Sequence, residues 1–223
     1  MNITALVPYY GGQSTAAPSS AGNRPGYLLQ TLASLTGFAT QVFAGLAAHD
    51  TNVPEGSYTP VYLDCEPKFL PATLMRWAQK QAPGDLFYAT EADQVLHYDP
   101  AVIKAVTGDI YLVPHRLEQL GPAGQGAHRG DVVTYDGRHW VFANGSPEGE
   151  GYYHPRGSPA NFGGGFLATR ELFTNTTFID SDDSPVEHAT GHCMSWVGYP
   201  QKTSSWQQFW VEHLSGYEHH CKL

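Results

Sequence analysis

Two periodicities run through the first hundred positions, and each predicts its own kind of element. Residues 2–9, NITALVPY, are apolar and β-branched up to a proline and predict a buried opening strand. Leu28, Leu29, Leu32 and Leu35 recur at helical spacing within 27–35, and Gly37 follows as a stop. TQVFAGLA at 40–47 and TPVYLDC at 59–65 read as a second and a third strand. A second helix over roughly 69–81 gathers Leu70, Leu74, Trp77 and Ala78 on one face, and Pro83-Gly84 ends it. Residues 13–26, rich in Ser, Ala, Gly and Pro, carry no period and predict a lid or a plain surface loop.

Further along, the apolar runs shorten. Asp99-Pro100 opens a short helix, DIYLVP at 109–114 reads as a strand, and VVTYD and HWVFAN predict a hairpin around Gly137. Residues 118–131 and 145–160 are glycine-rich loops. In NFGGGFLATRELF, 161–173, Gly163-Gly164-Gly165 precede a predicted helix, ATRELF. Another helix is expected from Ala189 to Val197, with Ser184 and Glu187 three residues apart as its capping box. Strands alternating with amphipathic helices predict an α/β fold with a mixed, mostly parallel sheet flanked by helices. Ligands of such sheets bind beyond the C-terminal strand ends. No linker composition divides the chain, so residues 1–223 read as a single domain with halves 1–100 and 101–223.

Chemistry concentrates in DLFYATEADQVLHY, 85–98, where a strand-like apolar run stops at Glu91 and Asp93. Side chains two apart on an extended segment point the same way, so the two carboxylates would converge. Hard oxygen ligands at a strand end suit Mg²⁺ or Mn²⁺ carrying a nucleotide diphosphate, and the same pair also suits a solvated strand-to-loop corner. Pro8, Tyr9 and Tyr10 fall at the same sheet edge, where the tyrosines would either contact a base or pack in the core. The glycine triplet would read as a phosphate cradle, a weak match without GK[ST] or Rossmann spacing, and Gly164 and Gly165 could equally line the floor of a sugar pocket.

A net charge of −9, with 12 Lys and Arg and no basic run, excludes a nucleic-acid-binding face. Three scattered cysteines make neither a disulfide framework nor a CxxC zinc site and fit a reducing compartment. The N-terminus lacks a basic region and a long apolar stretch, so neither a signal peptide nor a transmembrane segment is expected, and a cytoplasmic protein is. Asn144-Gly145-Ser146 and Asn175-Thr176-Thr177 match a glycosylation triplet that arises often by chance.

The order of these parts resembles GT-A fold, nucleotide-sugar-dependent glycosyltransferases. The C-terminal half is similar to β-1,3-galactosyltransferases and Fringe-like enzymes. TEADQVL resembles their Asp-rich metal motif, NFGGGFLATRELF their Gly-Gly-Gly segment and helix, and Glu187…Gly191-His192-Cys193…Gly198 their Glu-Asp…Gly-x-Cys…Gly stretch. The resemblance implies transfer of a hexose or deoxyhexose from a UDP- or GDP-sugar to a hydroxyl of a glycan acceptor. It further implies Mn²⁺ or Mg²⁺ on Asp93 and Glu91, with a late histidine (His213, His219 or His220) as a further ligand. Glu187 or Asp183 would be the base, and residues 101–223 would face the acceptor. Arg76, on the helix before the acidic strand, would either reach the diphosphate or be an exposed helix arginine. Two departures stand out. Glu91 replaces the first motif aspartate, and His188 follows Glu187 where the relatives have Asp, which leaves the base open among Glu187, Asp183 and His188. A sugar nucleotidyltransferase is the rival enzyme, although YYGGQSTAAPSS lacks the basic residues its phosphate loop needs. A metal- or glycan-binding module is the non-catalytic alternative.

Overall fold

A computed structural model of the chain describes residues 1–11, 24–50, 52–106, 111–118, 126–128, 131–135, 140–142, 160–161, 165–180, 194–197, 201–203 and 208–214. Strands β1 (Ile3–Tyr9), β2 (Gln41–Ala47), β3 (Thr59–Leu63) and β4 (Leu86–Ala89) are joined through helices α1 (Arg24–Ser34) and α2 (Leu70–Gln81) in the expected β-α-β-β-α-β order. Then come β5 (Gln94–Tyr98), a 3₁₀ helix at Pro100–Ala105, β6 (Tyr111–Val113), β7 (His115–Glu118), β8 (Gly126–His128), β9 (Asp131–Tyr135) and β10 (Trp140–Phe142). The remainder comprises β11 (Ala160–Asn161), β12 (Phe166–Thr169), α3 (Arg170–Asn175), β13 (Thr177–Asp180), β14 (Met194–Val197), β15 (Gln201–Thr203) and β16 (Phe209–His213).

The main sheet has the order β15-β6-β12-β4-β1-β2-β3. Only β12 runs against the rest, so the sheet is mixed and mostly parallel. Its central strands are apolar on both sides because both faces are covered, and successive residues feed opposite cores. Leu6, Phe87, Phe166 and Ala168 join Leu74, Ala78, Phe173 and Phe178 on the α2 side. Ala5, Val7, Tyr88 and Leu167 join Leu28, Leu32, Phe209 and Val211 on the α1 side. Phe87 stacks on Phe173 with centroids 4.3 Å apart.

Helix α1 begins before the apolar period does, with Pro25 in its first turn, where the missing N–H costs nothing. Two of its hydroxyls serve the neighbouring strand: Gln94 N–H donates to Thr31 Oγ1 (3.1 Å) and Leu96 N–H to Ser34 Oγ (2.9 Å). They satisfy one edge of β5, while β16 pairs with the other and β7 completes a small sheet, β5-β16-β7.

Pro8 lies inside β1 rather than ending it, and pairing with β2 continues through Tyr9↔Leu46. Pairing with β4 stops at Leu6↔Ala89, and Leu6 accepts from Thr90 N–H (3.1 Å) on that side. Pro8, two residues on, turns its nitrogen the same way, so its missing donor falls where β4 has already left.

The second half departs from the sequence reading at three places. FLAT is strand β12, antiparallel to β4, and the helix starts only at Arg170, where the Thr169 hydroxyl accepts from Leu172 N–H. The helix expected over Ala189 to Val197 is overturned at its end: Met194–Val197 is a strand paired with β13. Trp and Val in an alternating tetrapeptide suit that pleated surface, and the tertiary pairing prevails over a short helical pattern. The proposed cap at Ser184 and Glu187 lies outside the described residues. The hairpin around Gly137 is present as β9 and β10, with β8 added from the segment read as loop. Among the described residues, no helix is long and apolar enough to cross a membrane.

Candidate functional site

At the C-terminal edge of the parallel strands, the chain order reverses between β1 and β4, because β2 and β3 lie on one side of β1 and β4 on the other. That switch point is where open α/β sheets bind ligands. Around the switch point this edge carries the ends of β1, β2 and β4 and the start of antiparallel β12.

Tyr9 is a core residue, and its hydroxyl donates to the Asn52 carbonyl at 2.8 Å. Asn52 Nδ2 returns a bond to the Gly11 carbonyl (2.9 Å), and Asp50 accepts from the N–H groups of Gly11 (2.5 Å) and Asn52 (3.0 Å). A Cβ on Gly11 would run into the Asn52 carbonyl, so only glycine lets the two loops close. Arg24 Nη1 donates to the Tyr10 carbonyl (2.8 Å), its guanidinium 5.7 Å from the centre of the Tyr10 ring. Pro8 and Tyr10 are half-buried on this rim. The sequence reading left Asp50 and Asn52 unassigned, although Asp and Asn just past a strand are a turn signal.

Burial first, and then the nearby Asp50 charge, push the Tyr9 phenol up to about 12 from the usual 10.0. The unfolded chain ionises Tyr9 first, so this share of stability is full below pH 10 and is lost as pH rises towards 12. Tyr9→Phe should lower stability at neutral pH by ~1 kcal/mol, the worth of one hydrogen bond, and flatten the alkaline decline. Denaturant melts at pH 7 and pH 11 check both effects.

Glu91 and Asp93 are not on an extended strand. They belong to the turn between β4 and β5, so the rule that put both carboxylates on one strand face does not apply. Both side chains are half-buried. The turn is pinned at each end: the Thr90 hydroxyl donates to Gln94 Oε1 (2.9 Å) within the core, and Leu214 N–H donates to the Asp93 carbonyl (2.8 Å). His213 pairs in register with Gln94, which brings its backbone beside the acidic turn from 120 residues away. Only the backbone of His213 is described, and His219 and His220 lie outside the described residues. Among the described residues, no three His, Cys, Asp or Glu side chains gather. Glu91 and Asp93 bring to this turn the hard oxygen donors that Mn²⁺ or Mg²⁺ prefers, two of the roughly six a site for either ion would need.

Gly165 is at the same edge with φ +86, and a Cβ there would land on the Ala89 carbonyl and within 3.1 Å of Thr90 Cα. The need for glycine at this position is met within the protein, whereas the sequence reading gave it to a sugar. Gly163 and Gly164 lie outside the described residues, as do Asp183, Glu187 and His188. Arg76 donates to the Phe178 carbonyl (3.3 Å) and Thr73 Oγ1 (3.0 Å), which ties α2 to the strand leading into the acidic 180–187 segment.

No protein-family model and no curated protein matches the sequence. Among solved structures, the chain is similar to TarS 1-349 from S. aureus, with TM-score 0.50, 12% identity and 96% of this chain covered. The chain spans 61% of the length of that structure. This protein has a GT-A-like fold. HddC from Yersinia pseudotuberculosis is matched over 78% of this chain and 80% of its own at 12% identity and TM-score 0.42. In this GT-A-like fold, the order reversal between β1 and β4 and the turn after β4 stand together at the C-terminal edge of the sheet.

Proposed function

We propose that this protein is a metal-dependent glycosyltransferase that moves a hexose or deoxyhexose from a UDP- or GDP-sugar to a hydroxyl of a glycan acceptor. The supporting observation is the Glu91–Asp93 turn at the β1/β4 switch point, whose Asp93 carbonyl accepts from Leu214 N–H.

Bond cleavage in a nucleotide sugar leaves a diphosphate with growing negative charge; Asp93 and Glu91, with His213 as a further ligand, would hold a divalent cation, which would supply Lewis-acid stabilisation of that charge. The chain's own groups do the rest. The loop closed by Tyr9, Asp50 and Asn52 shapes the nucleoside end, where Pro8 and Tyr10 form the half-buried rim. Gly164 and Gly165 border the sugar. Glu187 or Asp183 takes the proton of the acceptor hydroxyl, which requires a group within hydrogen-bond reach of that oxygen. Arg76 ties α2 to β13, the strand that leads towards that base, through its bond to the Phe178 carbonyl.

A panel of UDP- and GDP-sugars with Mn²⁺, assayed for nucleotide release with and without glycan acceptors, tests this reading. One donor should release its nucleotide diphosphate, and EDTA should stop the release. Formation of pyrophosphate from a nucleoside triphosphate and a sugar phosphate would assign the chain to nucleotidyl transfer instead, and inertness towards every donor would leave only binding.

A further inference from the structure

Among the described residues, five polar side chains are buried in an otherwise apolar core, and three of them, Thr31, Thr90 and Gln94, are joined around the acidic turn. A buried polar group costs stability unless it is bonded, and an apolar residue of similar shape would fill each position without that condition. The bonds here converge on one short segment. The Thr90 hydroxyl reaches across the turn to Gln94 Oε1 (2.9 Å), and Gln94 N–H donates to Thr31 Oγ1 on α1 (3.1 Å). On the sheet side, Thr90 N–H donates to the Leu6 carbonyl (3.1 Å). Glu91-Ala92-Asp93 is therefore tied to β1 where it begins and to α1 where it ends, and its two ends are tied to each other. The other two buried hydroxyls, those of Thr4 and Thr176, donate to the carbonyls of Pro83 and Leu172, away from this turn.

We infer that Thr31, Thr90 and Gln94 are positioning residues for the acidic turn, holding Glu91 and Asp93 at one separation and one orientation for a divalent cation. The inference rests on the metal reading proposed above. A small divalent ion demands its oxygen donors at fixed distances and angles. A turn left to flex must be ordered as the ion binds, and that ordering subtracts from affinity, whereas a turn already closed by its flanks loses little. The three residues act through the chain on either side of the carboxylates, so their loss weakens binding without removing a ligand.

Thr31→Val and Thr90→Val keep the shape of the side chain and remove its hydroxyl. Mn²⁺ alone, titrated calorimetrically into the full chain, should bind each variant about 10-fold more weakly than the wild type, the lower end of the loss when support behind a metal ligand is removed. Thr90→Ser, which keeps the hydroxyl, should bind close to the wild type. Thr176→Val loses a buried bond of the same kind, to the Leu172 carbonyl (2.8 Å), and should lower the melting temperature in EDTA while leaving Mn²⁺ affinity unchanged. Wild-type affinity in both Thr31→Val and Thr90→Val would overturn the inference. So would an equal loss in Thr176→Val, because affinity would then follow overall stability and not the turn. A wild type that binds no Mn²⁺ would instead overturn the metal reading, and this inference with it.

Discussion

Asp93→Ala is expected to reduce kcat/KM for sugar transfer about 10²- to 10³-fold, equivalent to ~3–4 kcal/mol, the range for one lost electrostatic contact to a charged transition state. The fold should survive. The bond that pins this position uses the Asp93 carbonyl, which alanine retains, and the side chain is only half-buried. Removal of metal should have the same effect as removal of the carboxylate, so EDTA should abolish wild-type turnover and add little to the loss in the variant. Mn²⁺-dependent rates for both proteins, with circular dichroism to confirm folding, check the prediction. Full wild-type turnover in EDTA would end the metal assignment.

Gly165→Val should act on the fold before it acts on any ligand. At φ +86, a β-branched residue is strained by ~1–3 kcal/mol, and crowding against the Ala89 carbonyl adds ~1–3 kcal/mol. The damage falls where β12 enters the sheet beside β4, so the variant should melt well below the wild type. Gly165→Ala should show most of the same loss, because the Cβ alone reaches Ala89. If Gly165→Val instead melts normally and loses only transfer activity, the glycine serves the sugar and not the strand.

The first hundred residues were legible because their signals are local. Leu28, Leu32 and Leu35 mark a helix face within two turns, and Ile3 to Val7 is a strand apolar on both sides. The second half depends on pairings that no short window contains. Phe166–Thr169 is a strand because Ala89 to Leu86 lies beside it, about eighty residues earlier, and its own four residues precede a helix without a break. Met194–Val197 is likewise decided by Thr177–Asp180. The acidic pair was visible in the sequence, but the turn that carries it was not, since β5 takes shape only against α1 hydroxyls and β16.

Pro8 has a consequence for what may enter the switch point. A row of free backbone donors and acceptors invites another strand, whether it opens at the rim of a sheet or, as here, between two of its members. β1 outlasts β4 on this side, and the bare stretch would offer an N–H at position 8 to any extended peptide. Proline removes that donor. An added strand would lose one ladder bond at this position, whereas a compact ligand that needs no ladder would lose nothing.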